Sequence, residues 1–186
     1  MKTRLLFILL SLLLCQWTIA QQTISSGKLI EYSRFNSTIV PSRDVFVWLP
    51  TDYSTKERYD VLYMHDGQML FDANTTWNKQ EWGIDEVVGK LLNEKKIRSC
   101  IVVGVANIPE TRYADYFPQK VLRNFPDSVV SGNVSFNADN YLRFLVEEVK
   151  PFIDKEYSTN KSVEHTFVMG SSICLLYTSP SPRDTR

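Results

Sequence analysis

Two hydrophobic periods share this chain. Lys28 to Phe35 alternates apolar and polar residues and reads as a half-exposed strand. Val45 to Leu49 is a second strand, closed by Pro50, with a turn at Pro41-Ser42-Arg43-Asp44 between the two. Val61 to Met64 and Ile101 to Ala106 are apolar on consecutive positions, the pattern of strands covered on both faces. Phe167-Val168-Met169 is a fifth strand, ending at Gly170. Between these runs the period changes to that of a helix. Ile84, Val87, Val88, Leu91 and Leu92 share one helical face, and Lys95 and Lys96 supply the positive charge that a helix C-terminus favours. A second helix is predicted from about Asp139 to Tyr157, with a stripe of Tyr141, Leu142, Leu145, Val149, Phe152 and Ile153. Pro151 lies inside it, so a kink or break is expected near Val149–Lys150. Glu110 to Ser135 has no clean period and is read as loop with a short helix. Strands three to five are separated by helix-bearing crossovers, which implies parallel pairing after an antiparallel lead-in. The fold class is therefore α/β, with a mostly parallel sheet and helices on both faces.

Composition narrows this only at the ends. The 186 residues carry no formal net charge, so nothing attracts nucleic acid or an anionic surface in bulk. Lys2 and Arg4, the apolar run Leu5 to Leu14 and the small-residue site Thr18-Ile19-Ala20 have the three regions of a secretory leader spanning 1–20. An uncleaved anchor or a lipoprotein is the competing reading, but Leu14 precedes Cys15 where a small residue is needed. The rest of the chain, 21–173, is then a soluble domain outside the cytoplasm, secreted or periplasmic, with no membrane contact after cleavage. With Cys15 lost to the leader, Cys100 reads as a buried small hydrophobe beside Ile101. Asn36, Asn74, Asn133 and Asn160 sit in glycosylation sequons, which matter only in a eukaryotic host. Cys174 to Asp184 back-translates, without a forced codon, to a transposase adapter used in sequencing libraries. Residues 174–186 are therefore read as foreign to the domain. The alternative is a Ser/Pro-rich tail.

Candidate chemistry clusters at strand ends. Gly170-Ser171-Ser172 follows the fifth strand directly and forms half of a G-x-S-x-G elbow, which pushes the serine out at the top of the sheet. His65-Asp66-Gly67-Gln68 follows the third strand, where the same architecture draws one backbone N–H of an oxyanion hole, and glycine lets backbone approach the oxyanion closely. Each motif alone is an ordinary turn. Together, in this order and each after an apolar strand, they favour chemistry. His165, about five residues before the elbow, stands roughly 16 Å away at the wrong sheet end and is read as structural. His65 is at the right end but precedes the serine, whereas the order in this architecture is Ser, acid, His. No acid or His follows Ser172 before the tail, so this chain is expected to be inactive.

These motifs combine into a resemblance. Tyr59 to Gln68 with Leu70-Phe71-Asp72, Trp82 to Glu86, Ile101 to Val105, Arg112 to Pro118, Val149 to Asp154 and Glu164 to Ser172 resemble the esterase family that includes esterase D, siderophore esterases, and feruloyl and acetylxylan esterases. The likeness covers nearly all of 27–172. It implies the N-terminal portion of an α/β-hydrolase fold, Ser172 as nucleophile, and oxyanion donors at Gly67, Gln68 and residue 173. It also implies an acyl-enzyme route using no metal and no organic cofactor, acting on a small-molecule or carbohydrate-linked ester. Trp77, Trp82, Arg112 and Tyr116 are substrate-loop candidates, although packing also accounts for each Trp. An acyltransferase of the same fold, or a ligand-binding relative without a triad, are the rival readings.

Overall fold

A computed structural model describes residues 22–119 and 136–172. The leader, the sequon at Asn133, the donor at 173 and the tail at 174–186 lie outside the described residues. Strand β1 is Lys28–Phe35, β2 Arg43–Leu49, β3 Asp60–His65, β4 Cys100–Val105 and β5 Thr166–Met169. They form one sheet in the order β1-β2-β4-β3-β5. β1–β2 and β2–β4 are antiparallel, while β3–β4 and β3–β5 are parallel. The lead-in and the parallel core thus pair as the period predicts. The expected turn at 41–44 yields Arg43 and Asp44 to β2, because Arg43 pairs with Phe35 and buries its side chain against Asp115 at 3.2 Å.

Helices cover both faces. Helix α1, Ile84–Asn93, turns Val88 into a cluster with Phe46, Trp48, Met64, Leu70, Phe71 and Val102. The short α2, Arg112–Tyr116, and the long helix pack on the other face. The long helix comprises α3, Ala138–Arg143, a π-helical segment Phe144–Val149, and α4, Lys150–Glu156. Tyr141, Phe144, Val149 and Ile153 bury against Val47, Val61, Ile101 and Val103. Pro151 falls in the first turn of α4, where its missing N–H does no harm. The wider turn upstream absorbs the register change, so the chain passes from α3 to α4 through a π segment where a break was expected.

Candidate functional site

Register places the two candidate loops side by side. Met64 on β3 is opposite both Gly104 on β4 and Met169 on β5. All three strands are parallel, so residues 65–68, 105–107 and 170–172 leave the sheet at one carboxyl edge. This is the edge where open α/β sheets place their sites.

The loop after β3 is built under tension. Asp66 is buried and takes φ 57°, ψ 43°, the left-handed region that L residues avoid. It starts a 3₁₀ turn, Gly67–Met69, closed by the Met69 N–H donating to the Asp66 carbonyl at 2.8 Å. Gly67 is pressed against β4: a Cβ there would lie 2.6 Å from the Gly104 carbonyl carbon. No side chain fits, which is why glycine occupies the position. The Asp66 carboxylate accepts two bonds from Arg112, Nε at 2.9 Å and Nη2 at 2.7 Å, and a third from Asn107 Nδ2 at 2.6 Å. Asn107 N–H donates to Gln68 Oε1 at 3.1 Å. Burial alone would raise the Asp66 pKa. The hydrogen bonds from Arg112 and Asn107, with the guanidinium charge, hold it below the ordinary carboxylate value.

His65 points into the core. Its Nδ1 is 2.8 Å from the Tyr141 hydroxyl, and its Nε2 has no hydrogen-bond partner among the described residues. Burial lowers its pKa to about 4, against the pull of Asp66, so the ring is neutral near pH 7. His165 lies at the opposite end of the sheet, 2.5 Å from Asp60 Oδ1, as a structural residue would.

The loop after β5 carries a second strained turn, and this one bears serines. Ser172 is exposed at φ 61°, and Ser171 before it lines a cavity of about 450 Å³ with Asp66, Gln68, Met69, Trp77, Trp82, Asn107, Pro109 and Arg112. Trp77 stands 86% exposed at the rim. The structure therefore brings together Gln68, Trp77, Trp82 and Arg112, with Gly67 in the turn behind them. Tyr116 does not reach this cavity. It is 1% exposed, its ring 5.2 Å from that of His65 and 5.3 Å from the Arg112 guanidinium carbon, because its place on α2 faces the sheet. Sequence reading missed Asn107, Met69 and Pro109. The signal for Asn107 was its place two residues beyond β4, at the same edge as 65–68. Among the described residues no group of three His, Cys, Asp or Glu side chains could hold a metal ion, and no helix is long and apolar enough to cross a membrane.

Strand order, crossovers and a strained serine turn at the carboxyl edge define an α/β-hydrolase fold. The family model described as "Putative esterase" matches residues 37–174, and the chain belongs to that family. It is 25% identical over 148 residues to the protein YjcH of Bacillus subtilis, covering 80% of this chain and 52% of YjcH. The ferulic acid esterase AmCE1/Fae1A of Anaeromyces mucronatus, solved with ferulic acid, superposes with a TM-score of 0.54 at 20% identity, over 83% of this chain and 52% of that one. An IroE-like serine hydrolase from Shewanella oneidensis gives a TM-score of 0.57 at 24% identity, over 78% and 43%. The chain thus spans about half the length of these relatives.

Proposed function

We propose that the protein represented by this chain is an exported serine carboxylic-ester hydrolase whose nucleophile is Ser172. The observation that carries this reading is Ser172 at φ 61° directly after a strand that runs parallel to β3, so that its turn and the 65–68 loop border one cavity. A serine held in that conformation presents its hydroxyl away from the sheet, and the strain is tolerated where it serves chemistry. Ser172 would attack the ester carbonyl and release the alcohol, leaving an acyl-enzyme that water then hydrolyses. Backbone N–H groups of Gly67 or Gln68, together with that of residue 173, would receive the oxyanion. The 3₁₀ turn leaves its first N–H groups outside its own ladder, which suits them to that role. The base and its orienting acid would come from sequence beyond Ser172, since His65 is buried in the core with its Nδ1 held against the Tyr141 hydroxyl. On this reading 1–20 is a removed leader, 21–173 is hydrolase domain and 174–186 is foreign. The wall of Trp77, Trp82, Met69 and Pro109 suits a flat acyl or sugar group, and the AmCE1/Fae1A relative was solved with ferulic acid.

The test uses the protein expressed from the uninterrupted gene. Hydrolysis of p-nitrophenyl and feruloyl esters is expected, with a fluorophosphonate adduct on the Ser172 peptide. Ser172→Ala should lower kcat by at least about a thousandfold, as loss of a nucleophile does. Full activity in that variant, or an adduct on another serine, would sink the assignment. The 186-residue chain by itself should show no turnover.

A further inference from the structure

We propose that Asp66, Arg112 and Asn107 form a clamp that holds the Gly67–Gln68 backbone in its oxyanion-receiving pose, so that Arg112 is a positioning residue and not a substrate contact. This rests on the reading of that backbone given above. The geometry points to the loop as the target. Asp66 and Gln68 flank Gly67, and both side chains are tied to one residue of the β4 exit, Asn107, through its Nδ2 and its backbone N–H. Arg112 adds a two-pronged grip on the Asp66 carboxylate from α2. Such paired, charge-assisted bonds fix orientation as well as separation. Asp66 sits in a left-handed conformation, which a short polar side chain tolerates better than most, and its bonds to Asn107 and Arg112 offset the remaining cost.

The clamp has an electrical side. A carboxylate beside the place where negative charge develops would oppose the reaction. The guanidinium neutralises it without leaving the cavity wall. The Tyr116 ring, 5.3 Å from the guanidinium carbon, supports that group from the core side, which gives the buried tyrosine its place in the arrangement. A lysine at 112 would keep the charge and lose the fork, and alanine would lose both.

These differences make the clamp testable in the protein from the uninterrupted gene. Arg112→Ala should lower kcat by about 100-fold with KM within about twofold, the signature of a lost transition-state interaction. Arg112→Lys should recover about a tenth of wild-type activity, through charge without bidentate geometry. Adding Asp66→Asn to Arg112→Ala should restore part of the loss, because the negative charge that Arg112 no longer offsets beside the oxyanion site is gone. A KM that rises with kcat unchanged would make Arg112 a substrate contact and overturn the clamp. Amide hydrogen exchange in the same proteins reads the loop without turnover. In Arg112→Ala, residues 67–69 should exchange faster by about tenfold while β3 and β4 hold their protection. Unchanged exchange at 67–69, or a uniform rise across the sheet, would also overturn it. If the wild-type protein hydrolyses no ester, the esterase reading falls, and the exchange result still decides whether the clamp orders the loop.

Discussion

His65 shows how one residue's burial becomes a property of the whole chain. The folded ring titrates at about 4, while an imidazole in the unfolded chain titrates near 6.5. Between these values the unfolded chain takes up a proton that the folded chain refuses. Stability therefore falls as pH drops from about 6.5 towards 4 and levels off below the folded value, a loss of about 3 kcal/mol at most. Asp66 has its pKa lowered, so its contribution is present above the ordinary carboxylate range and is lost at more acidic pH, outside the histidine window. His65→Asn keeps a polar group near the Tyr141 hydroxyl and removes the titration. Urea midpoints at pH 4.5, 5.5 and 7 should fall steeply in the wild-type chain and remain flatter in the variant. Parallel curves would mean that another group takes up the proton. That His65 precedes Ser172, against the order expected of a hydrolase triad, was legible in the sequence. That it is a core residue was not, because Tyr141 and Tyr116 approach it from far along the sequence.

At the scale of elements, periodicity located each strand among the described residues to within about two residues, because β3 and β4 are buried on both faces and their apolar runs are unambiguous. Helix ends were less legible, since they depend on backbone geometry that no apolar stripe encodes. Helix α1 ends at Asn93, short of the two lysines expected to close it. Lys96 N–H donates to the Leu91 carbonyl and Lys95 N–H to the Leu92 carbonyl, both at 2.9 Å, with Lys95 at φ 55°. This is a Schellman cap with lysine where glycine is usual. The left-handed backbone costs a side-chain-bearing residue about 1 kcal/mol that glycine does not incur. Lys95→Gly should therefore raise the urea unfolding free energy by about 0.5–1 kcal/mol. A drop in stability would show that the lysine charge at the helix end outweighs the backbone strain. The π segment was equally hidden: Pro151 announced a disturbance, but the choice between a break and a wider turn is made by Phe144 and Val149, which stay in the core only if the helix continues.

Over the whole molecule, the two sheet edges differ in kind. The β1 edge carries Lys28, Glu31 and Arg34, charges that discourage another chain from adding there. The opposite edge is β5, where Phe167, Val168 and Met169 are 43%, 43% and 49% exposed and the strand has no charged residue. An apolar strand with no charge of its own and, among the described residues, no neighbour on its outer side is a template for strand addition. In relatives about twice as long, further sequence is available to cover such an edge. The 186-residue chain should therefore self-associate as its concentration rises, which sedimentation velocity would record as a weight-average mass above that of the monomer. Val168→Lys places a charge on the edge strand without touching the cavity residues, and should return the chain to monomer while the secondary-structure circular dichroism is retained. If the 186-residue chain is monomeric at every concentration, the exposed apolar strand is tolerated in water, and association by edge addition is ruled out as its fate.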